Sequence, residues 1–63
     1  MTDFIVADHG SIVTMTPMTP AAKAWVSEYL PEVQWFGRSA CIERRYWPDI
    51  YQGITEEAGL SVA

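Results

Sequence analysis

Apolar and polar positions along this chain switch between two periods. Residues 3–16 and 33–43 alternate with period two around a central glycine, whereas residues 20–30 and 46–58 repeat at helical spacing. The first alternating stretch predicts a β-hairpin. With His9-Gly10 as a two-residue loop, glycine supplying a positive φ, Ala7 faces Ile12, Val6 faces Val13, Ile5 faces Thr14 and Phe4 faces Met15. Successive side chains point to opposite faces, so Phe4, Val6, Val13 and Met15 form an apolar face, and Ile5, Ala7, Ile12 and Thr14 a mixed one.

Residues 16–19 read as a connector carrying Pro17. Thr19-Pro20 then reads as an N-cap followed by proline at the first helical position. Ala22, Trp25, Val26, Tyr29 and Leu30 make an amphipathic stripe, with Lys23, Ser27 and Glu28 facing away and Pro31 ending the helix. In the second alternating stretch a turn at Gly37-Arg38 pairs Phe36 with Ser39, Trp35 with Ala40, Gln34 with Cys41 and Val33 with Ile42. This gathers Val33, Trp35, Ala40 and Ile42 on one apolar face and leaves Gln34, Phe36, Ser39 and Cys41 on the other.

The second helix, 46–58, carries Trp47, Ile50, Tyr51, Ile54 and Ala58 at helical spacing, Pro48 and Asp49 in its first turn, and Gly59 as its stop. Gly53 inside it is unfavourable for a helix, and close packing against the sheet is the expected compensation. Residues 60–63 either add a short edge strand or dock. The order is ββαββα(β). The expected fold is α+β, a single domain over 1–63, with a four-stranded, mostly antiparallel sheet and both helices packed on one face. Ile5, Ala7, Ile12, Gln34, Phe36 and Cys41 then remain on the uncovered face, too apolar a set for a sheet facing water alone. That face, or a free strand edge, is expected to join a partner or a second copy.

Size sharpens this picture. A domain of 63 residues buries only about 60% of its chain surface, so a supplementary source of stability is expected. Cys41 is the only cysteine and His9 the only histidine, which excludes an intrachain disulfide and the common zinc ligand sets. Dense packing of the three Trp, three Tyr and two Phe, together with homodimerisation, is the remaining route. Eight acidic residues against four basic give a net charge of −4, which disfavours general binding to a phosphate backbone. The opening Met1-Thr2-Asp3 lacks a basic-then-apolar leader pattern, no apolar run has the length of a membrane span, and a lone cysteine suits a reducing compartment. A cytoplasmic protein without membrane contact is expected.

The pieces His9-Gly10-Ser11-Ile12, Thr19-Pro20 leading to Ala24-Trp25, Trp35-Phe36-Gly37, Ile42-Glu43-Arg44-Arg45-Tyr46 and Gly59-Leu60 resemble a group of small acidic proteins of bacteriophages and bacterial mobile elements. The resemblance covers nearly the whole chain, and each piece is a turn or packing motif. It carries no activity to transfer. It implies a setting, that of short accessory proteins, many of which, anti-CRISPR proteins among them, act by binding a host protein.

Candidate chemistry is sparse. Asp8-His9-Ser11 has the residue types of a catalytic triad, but neighbours in one tight turn cannot aim three side chains along a relay. Cys41 falls mid-strand and reads as a structural thiol. Asp49, Glu43, Glu56 and Glu57 lack calcium-loop spacing. Neither an enzyme nor a cofactor is expected. Arg44-Arg45-Tyr46-Trp47, extended by Arg38 and Phe36, is the candidate interface, because Trp, Tyr and Arg dominate protein-interface hot spots. In the competing interpretation Trp47 is core and the two arginines pair with Glu43 and Asp49. The expected function is a non-enzymatic protein-binding module acting on a host or phage protein, with inhibition of host defence as its sharpest form. Acidic side chains such as Asp3, Asp8, Glu32, Glu56 and Glu57 would then face a basic partner. The alternatives are a nucleic-acid-binding module using Arg44 and Arg45 with adjacent aromatics, and a structural or assembly protein.

Overall fold

A computed structural model describes residues 2–63. The chain runs β1 (Phe4–Asp8), β2 (Ile12–Pro17), α1 (Pro20–Tyr29), β3 (Gln34–Phe36), β4 (Ser39–Glu43), a 3₁₀ turn (Arg44–Tyr46), α2 (Trp47–Gln52) and a π-helical turn (Gly53–Glu57). The four strands form one antiparallel sheet in the order β1-β2-β4-β3. The α+β class and the order of elements are those expected from the sequence.

Each hairpin turns on a glycine. At Gly37-Arg38 the register is the expected one, with Gln34 opposite Cys41, Trp35 opposite Ala40 and Phe36 opposite Ser39. The first hairpin differs from expectation. Asp8 faces Val13 and Phe4 faces Pro17, so the loop is Gly10-Ser11 rather than His9-Gly10. Gly10 has φ +92, and among the described residues no non-glycine has a positive φ. A type II′ turn needs a positive φ only at its first central position, whereas a loop with His9 there would have forced histidine into that region. The Asp8 carboxylate fastens the turn by accepting the Gly10 N–H at 2.9 Å. The correction moves every partner by two residues, which leaves the faces unchanged. It also carries β2 through Pro17, which the sequence pattern places in a connector. β4 pairs no further than Met15 opposite Ala40, so Pro17 has a strand neighbour on one side only, where a missing N–H is tolerated.

Thr19 is the N-cap of α1, its hydroxyl accepting the Ala22 N–H at 3.1 Å, and Pro20 opens the helix. Ala22 and Val26 from α1 and Ile54 from the π-helical turn meet Phe4, Met15, Ala40 and Ile42 in one buried cluster. Both helices therefore cover the same face of the sheet. The chain end adds to the opposite edge: Val62 bridges Phe4 in parallel, and Phe4 and Val6 donate to the carbonyls of Ser61 and Ala63 at 3.0 and 2.9 Å. Residues 61–63 thus shield the free edge of β1, while β3 forms the opposite edge.

Gly53 packs near Trp25 of α1, not against the sheet. A Cβ there would lie 3.5 Å from Trp25 Cζ2, an ordinary contact, and the backbone is helical at φ −61 and ψ −41. Gly53→Ala is accordingly expected to stabilise the fold by about 0.5–1 kcal/mol. An unchanged or lower urea midpoint would contradict this.

Candidate functional site

The six residues singled out from the sequence do not form one patch. β4 separates them. Phe36 and Arg38 sit at the hairpin end of that strand, whereas Arg44, Arg45, Tyr46 and Trp47 follow its other end, about 17 Å away along a five-residue strand. Arg44 is tied into the first hairpin. It pairs with Asp8, donates to the Gly10 carbonyl at 3.0 Å, and its own N–H reaches the Ser11 carbonyl. Asp8, Gly10 and Arg44 thereby pin the hairpin tip to the end of β4. The Arg44 guanidinium and the Gly10 N–H hold the Asp8 carboxyl below its ordinary range, and Asp8 in turn raises Arg44. Arg45 pairs with Glu43 at 2.8 Å and lies over the Tyr46 ring at 4.9 Å. The partners of the two arginines are thus Asp8 and Glu43, and Asp49 is not among them. Trp47 is half-buried against the core and meets the Tyr51 ring at 5.8 Å with the planes tilted by 58°.

The uncovered sheet face also differs from expectation. Its central rows carry hydroxyls: Thr14 and Thr16 on β2 lie beside Cys41 and Ser39 on β4, with Thr16 and Ser39 bonded at 2.7 Å. Ile5 and Phe36 lie at opposite ends of one row, roughly 14 Å apart across four strands. The pairing of β2 with β4 places polar side chains between two apolar margins, so the face is not one continuous apolar patch.

Exposed aromatic surface gathers instead around β3. All three of its residues are exposed, with Phe36 at 78% on the uncovered face and Trp35 at 50% on the helix side. The alternation puts Trp35 on the apolar face and it does point there, but its cross-strand neighbour is Ala40 and, among the described residues, no further strand lies beyond it. Tyr29, expected in the buried stripe of α1, is 61% exposed at the last helical position and stacks on Trp25. One signal for Trp35 was legible: a large ring opposite a small residue on a short hairpin strand has little to pack on.

Beside the start of β3 lies an open groove of about 570 Å³, bounded by the end of α1, the loop after it, the end of β4 and the start of α2. Tyr46 is the one residue of the six that lines it. A second, shallow depression is framed by Ser11, Ile12, Glu43, Arg44 and Arg45, and both of its arginines are paired with carboxylates. At the hairpin tip His9 Nε2 shares a hydrogen with Thr14 Oγ1 at 3.1 Å, and Asp8 is engaged elsewhere, so Asp8, His9 and Ser11 make no relay. Among the described residues no cluster of His, Cys, Asp and Glu has the arrangement to hold a metal ion, and no helix is long and apolar enough to cross a membrane.

Comparison with protein-family models, with curated proteins and with solved structures finds no match for this chain.

Proposed function

We propose that this chain is a small, non-enzymatic protein-binding module whose contact surface is centred on β3. The observation that carries the reading is the exposure of Trp35 and Phe36 on the two faces of an edge strand. Large aromatic side chains are the residue types that anchor protein interfaces. Proteins guard free edges, and here residues 61–63 lie along the edge of β1, while among the described residues no segment pairs with the outer edge of β3. With only three residues β3 offers little main-chain pairing, so recognition runs mainly through its side chains. The sequence resemblance supplies the setting: a phage or mobile-element accessory protein working in the cytoplasm on a host protein, inhibition of host defence being the sharpest form. Self-association through the same edge is the homodimeric version. The nucleic-acid alternative is weakened because Arg44 and Arg45 both pair with carboxylates, which leaves Lys23 and Arg38 as the unpaired cations of the described residues.

The test is capture of partners from a bacterial lysate by the tagged chain and by its Phe36→Glu variant, with and without nuclease. Because Phe36 is exposed, the variant should keep its circular dichroism and urea midpoint. Capture of a specific protein should survive nuclease and fall at least about tenfold in the variant. Capture that is lost with nuclease would move the assignment to nucleic acid. Recovery of the bait alone would favour assembly, and capture indifferent to Phe36→Glu would remove β3 from the interface.

A further inference from the structure

We infer that the groove beside β3 receives a lysine or arginine side chain from an extended segment of the partner protein. The inference rests on the protein-binding reading and specifies the chemistry of one contact within it. The groove exists because β3 is shorter than β4. The last β3–β4 pair is Gln34 with Cys41, and Ile42 and Glu43 continue with no β3 residue opposite them. The chain before β3 bends instead of extending the strand, the Val33 N–H bonding back to the Leu30 carbonyl at 3.2 Å. An apolar floor of Val33, Ile42 and Ile50 is left under the gap.

Charge selects the occupant. Glu32, Glu43 and Asp49 line the groove, and among the described residues no Lys, Arg or His does. Glu43 already pairs with Arg45, while neither Glu32 nor Asp49 has an ion-pair partner among the described residues. A purely apolar ligand would cover the floor and desolvate these carboxylates without compensation. An acidic ligand would be repelled. A lysine or arginine matches both parts, its methylene stem lying on the apolar floor and its charged head reaching the carboxylates. Tyr29 and Tyr46 also line the groove and supply aromatic faces for a cation. The chain itself shows that the Tyr46 ring accepts a guanidinium, since Arg45 stacks on it from outside the groove lining. Gln34, at the groove margin, directly precedes Trp35 and Phe36, so one extended segment can engage the groove and the aromatic edge together.

The experiment is an NMR titration of the full chain with three capped pentapeptides, acetyl-Ala-Val-X-Val-Ala-amide, where X is arginine, its neutral isostere citrulline, or glutamate. The arginine peptide should give saturable shifts at the methyl groups of Val33, Ile42 and Ile50, weakening as salt is raised. Binding should be at least about threefold weaker for the citrulline peptide, and for the arginine peptide on the Glu32→Gln/Asp49→Asn double variant. Equal affinity for arginine and citrulline, equal shifts with glutamate, or shifts away from these methyls would overturn the assignment. The three-peptide comparison on the unaltered chain decides the matter even if the double variant folds poorly. Partner capture that depends on Phe36 with no arginine-specific binding would overturn the groove and leave the module standing. Arginine-specific binding without any partner capture would support the groove and count against the module.

Discussion

Phe4→Ala is expected to remove a large share of the chain's folding stability. Phe4 is fully buried, meets Trp25 edge-on at 6.2 Å and 83°, and belongs to the cluster that joins both helices to the sheet. Truncating a buried phenylalanine costs about 3–5 kcal/mol, because transfer free energy is lost and a cavity is left behind. A domain of this length has a total stability of only about 3–9 kcal/mol. The substitution also undercuts the chain end, since Phe4 lies between β2 and residues 61–63, bonding to Ser61 and Ala63 through its main chain. Phe36→Ala is the internal control. The residue type is the same, but the ring is 78% exposed, so its loss should cost less than about 1 kcal/mol. Urea denaturation followed by circular dichroism measures both. Similar midpoints for the two variants would mean that Phe4 does not anchor the core.

The contrast between these two phenylalanines marks what the chain discloses without a structure. Alternation with Val6 places Phe4 on the apolar face, and a hairpin register shifted by two residues leaves it there. Thr19-Pro20 was legible because helix capping is local, settled by a hydroxyl and an N–H three residues apart. Gly37-Arg38 set its hairpin correctly for the same reason. Gly10 offered two loops, and the choice between them depended on which neighbour would have to accept a positive φ. Non-local pairing was harder to read. The hydroxyl row on the uncovered face follows from β2 lying beside β4, which nothing in either hairpin specifies. Its place beside Arg45 and aromatics marks Arg44 as a contact residue, yet its carboxylate partner Asp8 is 36 positions away. The pairing of Trp35 with small Ala40 hints at poor packing, but it is the sheet order that places β3 at the margin and Trp35 at the surface.

The N-terminal strand, the cap of α1 and the chain end meet at one carboxylate, and its titration should be visible in stability. Asp3 accepts the Thr19 hydroxyl at 2.6 Å on one oxygen, and the Ser61 N–H at 3.0 Å and hydroxyl at 3.2 Å on the other. These bonds, that from Thr19 foremost, hold the Asp3 carboxyl below its ordinary value of 3.8. A carboxyl whose value is lower in the folded than in the unfolded state binds its proton more readily when unfolded. Its contribution is therefore complete above the ordinary value and disappears as pH falls through the folded one. Asp8, lowered by Arg44 and Gly10, acts in the same direction. At neutral pH Thr19→Ala should cost about 1–2 kcal/mol through the lost cap alone, and Asp3→Asn should also destabilise. The gap between the native chain and Asp3→Asn should narrow as pH falls below 3.8, whereas the cap's share of the Thr19→Ala effect should persist in acid. Because the two side chains share a bond, the double variant should cost less than the sum of the single ones. Urea midpoints from pH 7 down to about pH 2 test both statements. Parallel curves for the native chain and Asp3→Asn, together with strict additivity, would remove Asp3 as the tie between the strand, the helix cap and the chain end.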